Sequence, residues 1–255
     1  MSVELVLVPC LQDNYAVLVH DPVTGATAVI DAPEAAPIEA ALDRAGYRLT
    51  DILVTHHHGD HTGGIAALKK RFASRVVAPA AEAPRIPAVD ETVREGDTVR
   101  VGNLAAEVIE TPGHTAGHIS YWFAGEKLAF VGDTLFSLGC GRLLEGDAPT
   151  MWRSLSKLKR LPDDTRVYCG HEYTMSNARF ALGIDPDNTA LRKRAAVVDL
   201  LRNQGQPTLP TELGEEKAAN PFLRADDPAL AAALGLAGRP PEEVFALIRK
   251  RKDQA

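Results

Sequence analysis

The segment Thr55-His56-His57-His58-Gly59-Asp60-His61 holds four of the chain's eight histidines and one aspartate. Neutral imidazoles and a carboxylate are ligands for zinc, iron or manganese. The segment follows Asp51 to Thr55, a short apolar run that reads as a strand. While the chain is still extended, His56 and His58 point one way and His57 the other. Gly59 then lets the chain turn sharply and brings Asp60 and His61 toward a neighbouring point. A histidine-rich surface loop, or a helical pair of His57 and His61, is the plainer reading, and Gly59 makes the helical version poor.

Three further positions strengthen the metal reading. His114 lies in the turn-rich run Thr111-Pro112-Gly113-His114-Thr115-Ala116-Gly117-His118, Asp133 follows the apolar stretch Leu128 to Val131, and His171 follows Val167 to Cys169. Each stands just past the end of an expected strand, where loops on sheet scaffolds carry function. Taken singly, each has a bland explanation: Asp133 as a turn or helix cap, and a lone histidine as solvated or hydrogen-bonded. His20 and His118 keep that bland reading. So does His57, although it could support a ligand from behind. Cys169 is expected in the core.

The elements that must position these residues come next. Val3 to Val8 reads as a strand. Tyr15 to Val19 and Thr27 to Ile30 read as a hairpin across the Asp21 to Gly25 turn. Pro37 to Ala45 is expected as a helix stopped by Gly46, and Ile65 to Phe72 as a helix opened by Gly63-Gly64. Arg75 to Ala78, Thr98 to Val101, Ala105 to Glu110, Ser120 to Phe123, Lys127 to Val131 and Arg166 to Cys169 read as strands, with a helix over Met151 to Leu161. After about Tyr173 the chain reads as helices only: Met175 to Leu182, Asn188 to Asn203, Leu213 to Ala219, Pro228 to Leu234 and Pro241 to Lys252. The expectation is an α+β sandwich of mixed sheets over 1–173, followed by a smaller helical region over 174–255.

Composition narrows the function classes. A chain of 255 residues with 45% hydrophobic and 24% charged residues can bury a core without staples. Its net charge of −6 disfavours a general nucleic-acid binder. Three widely spaced cysteines, Cys10, Cys140 and Cys169, argue against a disulfide framework. Met1-Ser2-Val3-Glu4-Leu5 has no cationic lead and no apolar core, and no apolar run reaches membrane-span length. The expected location is the cytoplasm and the expected state a monomer.

At the metal motif the sequence resembles the metallo-β-lactamase superfamily: T-H-x-H-x-D-H is present as Thr55 to His61, with His114, Asp133 and His171 following in order. The resemblance narrows to glyoxalase II, the hydroxyacylglutathione hydrolases. It does so through Val131 to Phe136, Gly139-Cys140-Gly141-Arg142, Tyr168 to Thr174, Asn220 to Arg224 and the ending Arg249 to Asp253. It implies an αββα sandwich followed by a helical domain that helps hold glutathione. It also implies one metal on His56, His58 and His114 and a second on Asp60, His61 and His171, with Asp133 bridging both. The implied ions are two divalent cations, zinc foremost, with iron or manganese also suited to such ligands. Arg142, Tyr173, Arg249 and Lys252 are the implied contacts to glutathione. Some members carry a tyrosine where this chain has Leu144, which puts one polar contact in doubt.

This chemistry suits a thioester. The leaving thiol has a pKa near ~8.5 and needs little acid help. The missing ingredient at neutral pH is a nucleophile, which a metal-bridging hydroxide would supply, with Asp60 and Asp133 as the carboxylates beside it. The implied reaction is hydrolysis of S-(2-hydroxyacyl)glutathione, typically S-D-lactoylglutathione, to D-lactate and glutathione, a step of methylglyoxal degradation. Two rivals remain at this stage. One is a glutathione persulfide dioxygenase using a single iron; the other is a non-catalytic metal-binding relative.

Overall fold

The computed structural model describes residues 3–255. Met1 and Ser2, read above as part of a start with no cationic lead, lie outside the described residues. The chain divides into two compact units, one of residues up to Glu110 with Thr115–Gly132, the other of Thr111–His114 with Asp133–Ala255.

In the first unit, β1 (Glu4–Cys10), β2 (Asn14–His20), β3 (Thr27–Ile30), β4 (Asp51–Leu53), β5 (Arg75–Pro79) and β6 (Glu91–Val93) form one sheet in sequence order. The β1/β2/β3 pairings are antiparallel, with Val17 opposite Ile30. From β3 onward the pairings are parallel, because helices now carry the crossovers: α1 (Ala35–Ala45) joins β3 to β4 and α3 (Ile65–Phe72) joins β4 to β5. Every residue of β3 and β4 is buried, as expected for strands covered on both faces. On one face Leu18, Val29, Ile52 and Val76 pack with Ile38 and Leu42 of α1 and with Ile65 and Leu68 of α3. An antiparallel meander of β7 (Thr98–Val101), β8 (Leu104–Glu110), β9 (Ile119–Phe123) and β10 (Leu128–Phe130) completes this unit. It is tied to the first sheet by the Tyr121 hydroxyl, which donates to the Val54 carbonyl at 3.0 Å.

Past Thr111–His114, the second unit opens with a hairpin of two-residue strands, β11 (Leu135–Phe136) with β12 (Gly139–Cys140). It continues through α4 (Ala148–Lys159), β13 (Arg166–Tyr168), α5 (Thr174–Ile184), α6 (Thr189–Asn203), β14 (Thr211–Glu212), α7 (Leu213–Ala219), α8 (Pro228–Ala233) and α9 (Pro241–Asp253). Asp147 caps α4 and Asn188 caps α6 through side-chain oxygens that accept from Thr150 N and Leu191 N. The hairpin is held by the helical tail. Glu216 accepts from Ser137 Oγ and Leu138 N, and Asn220 Nδ2 donates to the carbonyls of Phe136 and Gly139. Phe222, fully buried, packs among Phe180, Phe245 and the Arg249 guanidinium.

The expected helices all form, α4 opening three residues earlier than anticipated because Asp147 and Pro149 start it. Strands β6, β11, β12 and β14 have no counterpart in the sequence reading. At two or three residues they are too short to show an alternation. The sharp turn expected at Gly59 is a single helical turn, α2 (Gly59–Thr62), with His57 outside it.

Candidate metal centre

The first unit supplies four of the expected ligands from the C-terminal end of β4. His56 and His61 are fully buried, and the Asp60 carboxylate is 42% exposed. His56 Nε2 and His58 Nδ1 face each other at 3.1 Å, and His61 Nε2 lies 3.8 Å from Asp60 Oδ2. The backbone explains the convergence. His58 is the last extended residue, and the α2 turn carries Asp60 and His61 back beneath it.

Groups behind these rings settle their tautomers. Asp31 Oδ2 accepts from His61 Nδ1 at 2.8 Å and from Thr55 Oγ1 at 2.8 Å, while Oδ1 accepts from Thr55 N. With its proton given to Asp31, Thr55 Oγ1 is left to accept from His56 Nδ1 at 3.0 Å. Both rings therefore present an unprotonated Nε2 on the other side, the state a metal ligand requires. Asn14 Nδ2 donates to Asp60 Oδ2 at 3.1 Å and to its carbonyl at 3.0 Å, which fixes that carboxylate.

The second unit supplies His114, Asp133 and His171, exposed by 6%, 5% and 4%. One oxygen, Asp133 Oδ2, lies 3.5 Å from His114 Nε2 and 3.3 Å from His171 Nε2. His114 Nδ1 donates to the Arg142 carbonyl at 2.9 Å, again leaving Nε2 as the outward lone pair. Asp133 follows Gly132, whose φ is +45° and where a Cβ would come within 2.5 Å of Thr55 Oγ1 and 2.6 Å of His118 Nε2. Only glycine serves as the residue that releases Asp133 from the end of β10.

These pairs pass a simple test of fit. Bonds of 2.0–2.1 Å in a tetrahedral centre put neighbouring ligand atoms roughly 3.3 Å apart. Four pairs, at 3.1, 3.8, 3.5 and 3.3 Å, bracket that separation. Lone pairs facing one another at such distances repel unless a metal cation or a shared proton lies between them.

The residues given the plain reading behave accordingly. His118 is fully buried and stacks on His56 with centroids 4.8 Å apart. His20 stacks on Tyr47, and Cys169 is buried with Sγ toward the His171 carbonyl. Burial pushes the thiols of Cys10 and Cys140 up to about 11 and that of Cys169 to about 12, so none is a thiolate nucleophile at neutral pH. Asn14, Asp31 and Glu82 are absent from the sequence reading. Asp31 alone offered a signal, since it follows β3 just as Asp133 follows β10.

The expected substrate contacts lie in the second unit. Tyr173 is 37% exposed and stacks on His171 at 4.6 Å. Arg142 is exposed, with Leu144 nearby in sequence and exposed as well. Arg249 is only 4% exposed, and its guanidinium is engaged: Nη1 donates to the Cys140 carbonyl at 3.0 Å, and Nη2 pairs with Asp253 at 2.7 Å. Lys252 Nζ donates to Ser176 and lies over the Phe180 ring. Its pKa is lowered, first by burial and then by the Arg249 and Arg142 charges.

Comparison with known proteins gives the family. Residues 11–171 match the metallo-β-lactamase superfamily and residues 172–255 match the hydroxyacylglutathione hydrolase C-terminus. A hydroxyacylglutathione hydrolase of Rhodopseudomonas palustris (strain BisA53) is 60% identical over 100% of both chains, and one of Nitrobacter winogradskyi is 57% identical over 100% of both. Among solved structures, ETHE1 from Myxococcus xanthus aligns with a TM-score of 0.70 at 28% identity, covering 98% of this chain and 90% of that one. TTHA1623, solved in a di-iron-bound form, aligns over 65% of this chain and 90% of its own with a TM-score of 0.57 at 27% identity. The fold is thus a metallo-β-lactamase domain followed by a helical C-terminal region, and its His/Asp clusters fit a binuclear metal site. End to end, the chain belongs to the hydroxyacylglutathione hydrolase family of the metallo-β-lactamase superfamily.

Proposed function

We propose that this protein hydrolyses S-(2-hydroxyacyl)glutathione thioesters, S-D-lactoylglutathione among them, to the hydroxy acid and glutathione. One divalent metal would be held by His56, His58 and His114 and the other by Asp60, His61 and His171, with Asp133 as the shared carboxylate ligand. The observation that carries this reading is the single Asp133 oxygen set at near-equal distance from His114 and His171, the arrangement of a bridging carboxylate. Zinc suits the imidazole-rich set, and the di-iron form of TTHA1623 makes iron the principal alternative.

When bound, such a cation pair lowers the pKa of water from 15.7 toward roughly 7 and offsets charge on a developing oxyanion. The chain's own residues do the rest. Asp133, 5% exposed, is the carboxylate that would reduce repulsion between the two cations when they are bound. Asp60, partly open and held by Asn14, is placed to accept the proton that the attacking water loses. The carbon–sulfur bond breaks with the thiolate leaving directly, since a thiol of pKa ~8.5 needs no acid. Arg142, Tyr173 and Lys252 hold the glycine carboxylate end of glutathione. Arg249 contributes its charge from beneath, with its hydrogen bonds already given to Cys140 and Asp253.

Curated relatives at 57–60% identity over the whole chain bear this name, so a persulfide dioxygenase or a non-catalytic relative is not favoured. We place residues 174–255 as the substrate-binding domain and the protein as a cytoplasmic monomer. No described helix is long and apolar enough to cross a membrane. The test is incubation of purified protein with S-D-lactoylglutathione, with and without chelator. Chelator-sensitive release of glutathione is expected. Oxygen consumption with glutathione persulfide in place of thioester hydrolysis would overturn the reading.

A further inference from the structure

Glu82 is 2% exposed and lies outside every expected ligand set, yet both its oxygens are fully engaged. Oε2 accepts from His57 N at 2.7 Å and from His57 Nδ1 at 2.7 Å. Oε1 accepts from the Thr115 hydroxyl and from Gly117 N at 2.8 Å. One carboxyl group therefore grips two segments: the middle of the His56–His58 pair, and the stretch that begins at the residue after His114. Gly117 is fitted to this grip. A Cβ there would fall 2.6 Å from Glu82 Cγ and 2.7 Å from Ala81 Cβ, so any larger residue would push the carboxyl group away.

We infer that Glu82 is a positioning residue that holds the His56/His58 segment against the Thr115–Gly117 stretch, and thereby sets how tightly the ion assigned to His56 and His58 is retained. The inference rests on the binuclear reading proposed above. It also gives His57 a task. The His57 ring lies 4.8 Å from that of His58, and through its ring and its backbone N–H His57 is the handle by which Glu82 holds this segment.

The chemistry of the contacts makes the test sharp. Each Glu82 oxygen meets one backbone N–H, from His57 and from Gly117, and a backbone N–H cannot become an acceptor. In Glu82→Gln the amide NH2 must therefore face one of them whichever way it is placed. The isosteric change should break one side of the clamp without altering volume. Thr115→Val removes only the hydroxyl contact and should act more weakly.

The experiment is chelator titration of the two-metal protein, read by metal content and by the visible spectrum of the cobalt(II)-substituted form. Circular dichroism of the metal-free protein checks folding. Expected for Glu82→Gln is about 10- to 100-fold weaker retention of one ion, the range typical when a partner of metal ligands is removed. The other ion should be held as in the parent, and Thr115→Val should fall between. Unchanged retention of both ions, or equal weakening of both, overturns the inference. If the variant fails to fold, Thr115→Val decides alone: selective weakening of one ion supports the clamp, and parental retention of both ions refutes it. A parent protein that never takes up two ions refutes the binuclear reading instead, so the two failures are distinguishable.

Discussion

Glu216 offers the most exacting check on how the helical tail supports the hairpin beside Arg142. It is fully buried, and its two oxygens face different kinds of donor. Oε1 accepts from two hydroxyls, Ser137 Oγ and Thr211 Oγ1, each at 2.7 Å. Oε2 accepts from Leu138 N at 2.8 Å and Asn220 Nδ2 at 3.0 Å. In Glu216→Gln the amide oxygen can take the second position and the NH2 the first, because both hydroxyls can rotate to accept. The cost is then the loss of charge assistance, about 1 kcal/mol. In Glu216→Ala the Leu138 N–H is orphaned, two hydroxyls lose their partner, and a void opens. Asn220 keeps the carbonyls of Phe136 and Gly139. With about 1–3 kcal/mol for the stranded N–H and about 1 kcal/mol for each hydroxyl, the sum is roughly 4 kcal/mol. At about 2–4 °C per kcal/mol for a protein of this size, Ala should lower the thermal midpoint by roughly 8–16 °C and Gln by roughly 2–4 °C. Differential scanning calorimetry of the three proteins, each equally metal-loaded, measures both. Equal losses for Gln and Ala, or an Ala variant within about 2 °C of the parent, would show that this carboxyl group does not anchor the hairpin.

Other consequences are open to simpler measurements. Asp133→Ala should lose metal and thioester hydrolysis together, and two ions retained with near-normal turnover would count against the bridge. Lys252→Ala should raise KM for a glutathione thioester while leaving kcat and the melting temperature near the parent values. Arg249→Ala should also lower the melting temperature, because it strands the Asp253 carboxylate and the Cys140 carbonyl; a stable Arg249→Ala protein would contradict its buried role. Because Lys252 has a lowered pKa, its positive charge is present at neutral pH and is lost as pH rises through a value below the usual lysine range. KM should therefore climb on the alkaline side in the parent and not in Lys252→Ala. Finally, with thiols at about 11, 11 and 12, Cys10, Cys140 and Cys169 should resist a thiol-specific reagent at pH 8 until the protein is denatured.

Much of the site could be read before any coordinates, because its strongest part is local. His56, His58, Asp60 and His61 fall within six residues, and the extended-then-turn geometry that makes them converge is written in the order strand, histidines, glycine. The long elements were equally legible, since α6 carries its Asn188 cap, α9 opens at Pro241, and both span enough turns for a pattern to show. What the sequence could not convey is which distant groups stand behind the ligands. Asp31, Glu82 and Asn14 lie 30, 25 and 46 residues from the partners they hold, His61, His57 and Asp60. A hydrogen bond at that separation leaves no periodic trace. Nor does the sequence distinguish Arg249 from Lys252. Both are cations near the end of one helix, and only the packing of α9 against Phe222 and the hairpin buries Arg249 almost completely and leaves Lys252 half-buried. Residue type and local spacing determined what chemistry the chain could do; the tertiary fold decided which side chains are free to do it, because burial and long-range pairing depend on segments that meet only once the chain has folded.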